Sequence, residues 1–150
     1  MDGRVLADLG RSSQPHRFSK GKDHITAEQV MIIRSSVAVV AGVAANMLAI
    51  PVDATLQSAG VFSAAGEAPY VLALAYRVAF AALGGWITAR LAPSSPMKHG
   101  WILGVVGVVF ASLGSAAQWS AGHHWYPLAI VVLSLPATLA GARRFVRSRP

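Results

Sequence analysis

The stretch WILGVVGVVFASLGSAAQ, residues 101–118, is uncharged over all 18 positions, and most of its side chains are apolar. A helix rises 1.5 Å per residue, and about 20 apolar residues, with about 17 as the lower limit, cross the roughly 30 Å hydrocarbon core of a bilayer. In lipid the backbone must satisfy its own hydrogen bonds, as it does in a helix. The stretch does not alternate polar and apolar residues, as a strand of a membrane barrel would. The stretch therefore predicts a membrane-spanning helix.

Three further segments are of similar length and hydropathy. Residues 30–52 include 18 uncharged residues after Arg34, residues 70–91 contain Arg77, and residues 126–142 are uncharged over 17 positions. The chain is 54% hydrophobic and 13% charged, whereas soluble domains carry about a quarter charged residues. We therefore predict an all-α fold, an integral membrane bundle of four transmembrane helices in one domain, residues 30–142. The predicted helices are 30–52, 70–91, 101–118 and 126–142.

Lysine and arginine flank these segments unevenly. Twelve of the 13 lie in the N-terminal region through Arg34, in the connection between the second and third segments, or after residue 142. The loops on the opposite side, 53–69 and 119–125, contain none. Because cytoplasmic flanks of membrane helices are enriched in Lys and Arg, the N-terminus and the C-terminus are both predicted to be cytoplasmic.

The two ends of the chain are polar and basic. Residues 1–29 are predicted to form a mostly disordered cytoplasmic tail, in which Thr26 and Gln29 occupy the positions of a helix-capping box. Residues 143–150 are predicted to form a second basic cytoplasmic tail. Membrane topology and attraction to anionic lipid account for the net charge of +7. Nucleic-acid binding is not predicted, because the sequence has no basic face interleaved with aromatic residues.

Small residues recur along one face of three segments. Where lipid gives no hydrophobic driving force between helices, such residues let backbones approach closely, so these faces predict a tightly packed bundle. The small residues are Ala38, Gly42 and Ala45 in the first segment, Ala81, Gly84, Gly85 and Thr88 in the second, and Gly100, Gly104, Gly107, Ala111, Gly114 and Ser115 in the third.

Arg77 is the most informative charged residue. It lies seven positions past Tyr70, roughly 10 Å along the helix, and shares a face with the small residues of its segment. An unpaired guanidinium in lipid costs from about 3 to over 10 kcal/mol. We therefore predict a buried polar site in which Arg77 points inward and meets Asp53, with Asn46 or a helix carbonyl as the next choice. The site is an anion or lipid-headgroup site in one hypothesis, and a structural or snorkelling arginine in the other.

His123 and His124 lie within GHHWYPLA, residues 122–129. The aromatic residues around them are typical of the level at which a helix enters a membrane. A zinc or copper site would need Asp53 or Glu67 as further ligands, and adjacent histidines point in different directions on a helix. We therefore predict no metal site and keep the two histidines as weak candidates for metal binding or proton handling.

No catalytic constellation occurs in the sequence. It contains no nucleophile elbow, no phosphate loop, no His-Glu-x-x-His motif and no paired intramembrane aspartates. Cysteine is absent, which excludes disulfides, thiolate catalysis and metal sites built on sulfur. A non-enzymatic protein with no catalytic residue and no cofactor is predicted.

The segment AYRVAFAALGGWITARLAP, residues 75–93, and several later motifs resemble small uncharacterised four-helix bacterial inner-membrane proteins. The resemblance covers about the C-terminal half of the chain and, in outline, the first helix. It implies a multi-pass protein of the bacterial inner membrane and supplies no activity. The residues that carry it are Tyr76, Arg77, Gly84, Gly85, residues 89–93, His99, Gly104, Gly107, residues 124–127, Leu135 and Pro136.

Three functions are compatible with these observations. The favoured one is an accessory or structural membrane protein that packs against membrane lipids, a second copy of itself or another membrane protein. The alternative is an oligomeric transporter or channel in which Arg77 attracts a small anion. The third is a metal- or pH-responsive membrane protein that uses His123 and His124.

The charge distribution generates a topology prediction. A reporter fused after residue 150 is expected to be active only if it works in the cytoplasm, because twelve of the 13 basic residues lie on that side. A reporter inserted within residues 53–69 is expected to be active only if it works outside. Reversal of either result contradicts the orientation.

Overall fold

The structure, a computed structural model, describes residues 26–63, 66–121 and 123–148. In these ranges all regular elements are helices and none is a strand. Residues 1–25 and 149–150 of the two predicted tails lie outside the described residues. The helices in chain order are α1 (Ala27–Met47), α2 (Ala49–Ser58), α3 (Ala68–Leu91), α4 (Pro96–Ala117) and α5 (Trp125–Arg147), with short 3₁₀ turns at Val61–Ser63 and Trp119–Ala121.

Four helical segments are long and apolar enough to cross a membrane, and α1 and α2 together form the first of them. The predicted all-α class and the number of candidate spans are thereby confirmed. The segments are Ala27–Ser58, Ala68–Leu91, Pro96–Ala117 and Trp125–Arg147.

The four segments alternate in direction. Contacts between Thr88 and Ala38 and between Gly84 and Gly42 make α3 antiparallel to α1. The end of the bundle where α2 and α4 end and where α3 and α5 begin is called the Arg77 end. The opposite end, with the α3–α4 connection and the last turns of α5, is called the basic end.

The first segment is longer than predicted. It continues to Ser58 instead of ending at residue 52, and it is interrupted at Leu48, whose N–H lies 3.3 Å from the Ala45 carbonyl oxygen. Pro51 lies in the first turn of α2 and has no N–H to extend the hydrogen-bond ladder of α1. Asp53 therefore lies within a helix, where the sequence placed it just after one.

The other boundaries differ by a few residues. The predicted capping box is present, because the Thr26 N–H donates to Gln29 Oε1 at 2.9 Å and the Gln29 N–H donates to Thr26 Oγ1 at 3.3 Å. α4 begins at Pro96, five residues before the predicted start, and α5 extends to Arg147. Arg144 and Arg147 thus lie in the last turn of α5, where the helix dipole favours positive charge.

α3 contacts helices on both sides through two adjacent glycines. A Cβ on Gly84 would lie 2.8 Å from the Gly42 carbonyl oxygen of α1, and a Cβ on Gly85 would collide with the Thr138 carbonyl oxygen of α5. Gly141 of α5 is equally close to the backbone of Ala82. Since these neighbours are backbone atoms, only glycine permits the observed approach.

The first half of α4 packs against α5 as its small residues predict. A Cβ on Gly100 would lie 2.8 Å from the Ala142 Cβ, and one on Gly104 would lie 2.5 Å from a methyl of Leu135. A Cβ on Gly107 would lie 3.0 Å from the Ser134 hydroxyl oxygen. The predicted close contact of this face with another helix is therefore present.

The second half of α4 does not continue this packing. α4 is described throughout, and no residue of it beyond Gly104 is buried. Gly114 belongs to the predicted small-residue face, yet nothing lies within 4 Å of a Cβ built on it. The small-residue pattern predicts a packed face along the whole helix, whereas the structure packs only its first half.

Two matched substitutions test this difference. Gly85→Ala is expected to destabilise the bundle by about 1–3 kcal/mol, the usual cost of overpacking, because the added methyl meets a backbone carbonyl. Gly114→Ala is expected to be neutral or to stabilise by up to about 1 kcal/mol, since alanine is the better helix former. Thermal unfolding of both variants in detergent measures the effect, and equal behaviour would contradict the packing.

Candidate functional site

The Arg77 end contains an ion pair between two helices. Arg77 Nη2 of α3 donates to Asp53 Oδ2 of α2, and the Tyr76 hydroxyl donates to Asp53 Oδ1. The side chains of Arg77 and Asp53 are 30% and 19% exposed, so the pair is half-buried. The contact that the sequence favoured for Arg77 is present, and both carboxylate oxygens of Asp53 accept a hydrogen bond.

The helix register explains why these residues meet. The Thr88 hydroxyl donates to the Ala38 carbonyl at 3.1 Å, and Gly84 faces Gly42 one turn further on. Continued in antiparallel register, this places Arg77 near the start of α2, and Asp53 lies about one turn beyond that point. The long arginine side chain covers this distance, so a single face of α3 carries both the packing contacts and the ion pair.

Arg77 keeps hydrogen-bonding capacity after it pairs with Asp53. Its guanidinium has five N–H donors, and Nε is buried with no hydrogen-bond partner in the structure. The Tyr126 hydroxyl of α5 lies close enough to the guanidinium to interact with it. Asn46, the other predicted partner, lines the same crevice as Arg77. Because Nε is buried, an acceptor oxygen from outside the chain can reach only the other N–H groups of the guanidinium.

A crevice of about 270 Å³ lies between α1, α3, α4 and α5, next to Arg77. Most of its walls are aliphatic or aromatic, and its polar groups are Arg77, Asn46, Ser115, Gln118, Tyr126 and Ser134. The apolar walls include Val43, Met47, Ile50, Leu74, Val78, Leu103, Val106, Phe110, Ile130 and Leu133. An apolar cavity with a few convergent polar groups is the usual form of a small-ligand site.

The crevice exists because the second half of α4 has no buried residue, although its far end stays hydrogen-bonded to α5. Met47 and Ile50 are exposed on one side of the crevice, and Phe110 and Gly114 are exposed on the other. The opening between α1–α2 and α4 therefore faces sideways, along the flank of the bundle, and apolar side chains line it.

Aromatic side chains cover the bundle beyond Arg77. The rings of Tyr70 and His123 stack with centroids 4.0 Å apart, and Tyr126 meets Tyr70 edge-on at 5.5 Å. Trp125 Nε1 donates to Glu67 Oε2 at 2.7 Å, and His123 Nε2 lies 3.8 Å from Glu67 Oε1. These five residues, called the aromatic cap, join α3 to the start of α5.

The two histidines point apart. His123 belongs to the aromatic cap, whereas His124 stacks on Trp119 with centroids 4.5 Å apart. Of the two carboxylates considered as further ligands, Asp53 is paired with Arg77 and Glu67 lies beside His123. Across residues 26–63, 66–121 and 123–148, no group of three or more His, Cys, Asp or Glu side chains could hold a metal ion.

The sequence missed several members of the site. Sequence patterns did not predict Tyr76 or Tyr126 as partners of Asp53 and Arg77, and they did not predict the hydrogen bond between Trp125 and Glu67. A pattern could have indicated Tyr76, because it directly precedes Arg77 and can reach the same carboxylate. No pattern within α5 indicates that Tyr126 approaches Arg77, since that contact depends on how α5 packs on α3.

Comparisons of the chain with protein-family models, with curated proteins and with solved structures find no match.

A double-mutant cycle tests the ion pair. Asp53→Asn and Arg77→Gln are each expected to destabilise the protein, because each leaves a half-buried polar partner unsatisfied. The double variant is expected to lose less than the sum, with a coupling energy between about 0.5 and 3 kcal/mol. Glu67→Gln, which removes the carboxylate of the aromatic cap, is the control and is expected to add to Arg77→Gln within about 0.5 kcal/mol. Additivity of Asp53→Asn and Arg77→Gln would contradict the pairing.

Proposed function

We propose that the protein is a non-enzymatic accessory component of a bacterial inner membrane, which crosses the membrane four times and packs against membrane lipid. The observation that carries the proposal is the sideways crevice, with apolar walls and one guanidinium, between helices long and apolar enough to span a bilayer. A protein with this surface presents to lipid both a hydrocarbon-like groove and a hydrogen-bond donor.

The two ends of the bundle support an orientation with both termini in the cytoplasm. Arg90 stands over the Trp86 ring at 5.1 Å at the basic end, where Arg143, Arg144 and Arg147 are exposed. The Arg77 end instead carries the aromatic cap and an internally neutralised arginine. Basic residues on one side and aromatic residues at the headgroup level are the distribution that membrane insertion favours.

The ion pair favours this function over anion transport. A channel that attracts anions needs uncompensated positive charge along its path, but Asp53 neutralises Arg77 within the chain. The stacked rings of the aromatic cap also lie between Arg77 and the nearer end of the bundle. The crevice opens to the side instead, and such an opening admits a lipid more readily than a hydrated ion.

A flux assay separates the two functions. Liposomes that contain the purified protein are expected to show no chloride, nitrate or phosphate flux above empty liposomes, and Arg77→Gln is expected to change nothing. The reason is that Arg77, the charged residue that lines the crevice, is neutralised by Asp53. Anion flux that disappears in Arg77→Gln would overturn the accessory function and favour the channel.

A further inference from the structure

We infer that the crevice binds one membrane phospholipid, with a phosphodiester oxygen on Arg77 and an acyl chain along α4. This inference rests on the proposed function and names the lipid chemistry that the site selects. Three observations lead to it: a guanidinium on the crevice wall, an apolar channel of suitable length and a lateral opening.

The donor is the Arg77 guanidinium, which lines the crevice and whose side chain is 30% exposed. Asp53 occupies Nη2 and Nε is buried, so the remaining Nη N–H groups are the ones that an outside acceptor oxygen can reach. Arginine binds phosphate through the planar array of its N–H groups. One guanidinium can therefore hold Asp53 and a phosphodiester together.

The apolar channel runs from Ser115 to Leu103 on α4. These residues are twelve positions apart, which corresponds to about 18 Å of helix. Half of a bilayer's hydrocarbon core is about 15 Å thick, so an acyl chain of one leaflet matches this length. Val106 and Phe110 line the channel between the two ends.

The opening decides between a lipid and a water-soluble ligand. Exposed apolar side chains, Ile50 on α2 and Phe110 on α4, flank the lateral mouth, and the aromatic cap covers the end of the bundle beyond Arg77. A ligand that enters from the side comes from the hydrocarbon phase. A helix of a second copy could also cover this mouth, but the carbonyls in its interior are already hydrogen-bonded within the helix and do not accept from Arg77.

The ion pair also sets the selectivity. Since Asp53 neutralises Arg77, the site rewards an acceptor oxygen and not net negative charge. Zwitterionic phosphatidylethanolamine and anionic phosphatidylglycerol are therefore expected to bind with affinities within about threefold of each other, a difference of less than 1 kcal/mol. Inorganic phosphate, which has no acyl chain, is expected not to compete.

Native mass spectrometry of the full chain in mild detergent, with each lipid added, tests the inference. Gly114→Leu should lower lipid binding by about tenfold or more, because the new side chain enters the crevice where nothing lies within 4 Å of the Cβ. Ala116→Leu, on the exposed surface of the same helix and outside the crevice, is the control and should bind as the wild type does. Arg77→Lys keeps the charge opposite Asp53 but lacks the planar array of N–H donors, and should also bind more weakly.

Equal lipid binding by Gly114→Leu and Ala116→Leu would overturn the inference, as would competition by inorganic phosphate. A lipid-free dimer that Gly114→Leu dissociates would assign the crevice to a second copy and would overturn it too. If Gly114→Leu does not fold, a phospholipid with a photoreactive acyl chain decides on the wild type. Adducts at Met47 and Phe110 support the site, whereas adducts equally frequent at the exposed Val132 of α5 contradict it.

These outcomes are separate from a failure of the proposed function. If native mass spectrometry detects no lipid binding at the crevice and the liposomes show no anion flux, the accessory function stands and only the phospholipid site is rejected. Arg77-dependent anion flux in the liposome assay would instead remove the accessory function itself.

Discussion

The close approach of helix backbones at Gly84 and Gly85 is the constraint on which the rest of the structure depends. These neighbours point in different directions, so one turn of α3 contacts α1 on one side and α5 on the other. In lipid, helices associate through packing and interhelical hydrogen bonds, and such contacts require residues without side chains. The α1 contact fixes the register that brings Arg77 to Asp53, while the α5 contact brings Tyr126 toward the same guanidinium.

α4 is attached differently, and the crevice is the consequence. Its first half packs on α5 through Gly100 and Gly104, but its second half has no buried residue. The Ser115 hydroxyl donates to the Pro127 carbonyl at 3.0 Å, so the far end of α4 stays tied to the start of α5. Because α4 contacts α5 near both ends but has no buried residue in its second half, a crevice lined by side chains remains between the helices.

The sequence predicted those features that follow from local composition. Length and hydropathy predict four helices, and the shared face of Arg77 and Gly84 predicts that Arg77 turns toward the first segment. The end of that segment was predicted too early, because Asp53 was interpreted as a boundary, whereas its ion pair lets a carboxylate lie inside a helix. The crevice was not predictable, since the small residue Gly114 repeats the pattern of Gly104 and only the position of the neighbouring helices distinguishes packed from unpacked positions.

The ion pair that allows an arginine in α3, within the second apolar segment, also limits what that arginine can do. A guanidinium without a partner in hydrocarbon costs at least about 3 kcal/mol, and Asp53 removes that cost by supplying the opposite charge. The same carboxylate cancels the long-range field that would draw a free anion toward Arg77. What remains is short-range: the N–H donors of a partly exposed guanidinium beside an apolar channel. A group that delivers an acceptor oxygen together with a hydrocarbon chain gains from both features, whereas a hydrated ion gains from neither.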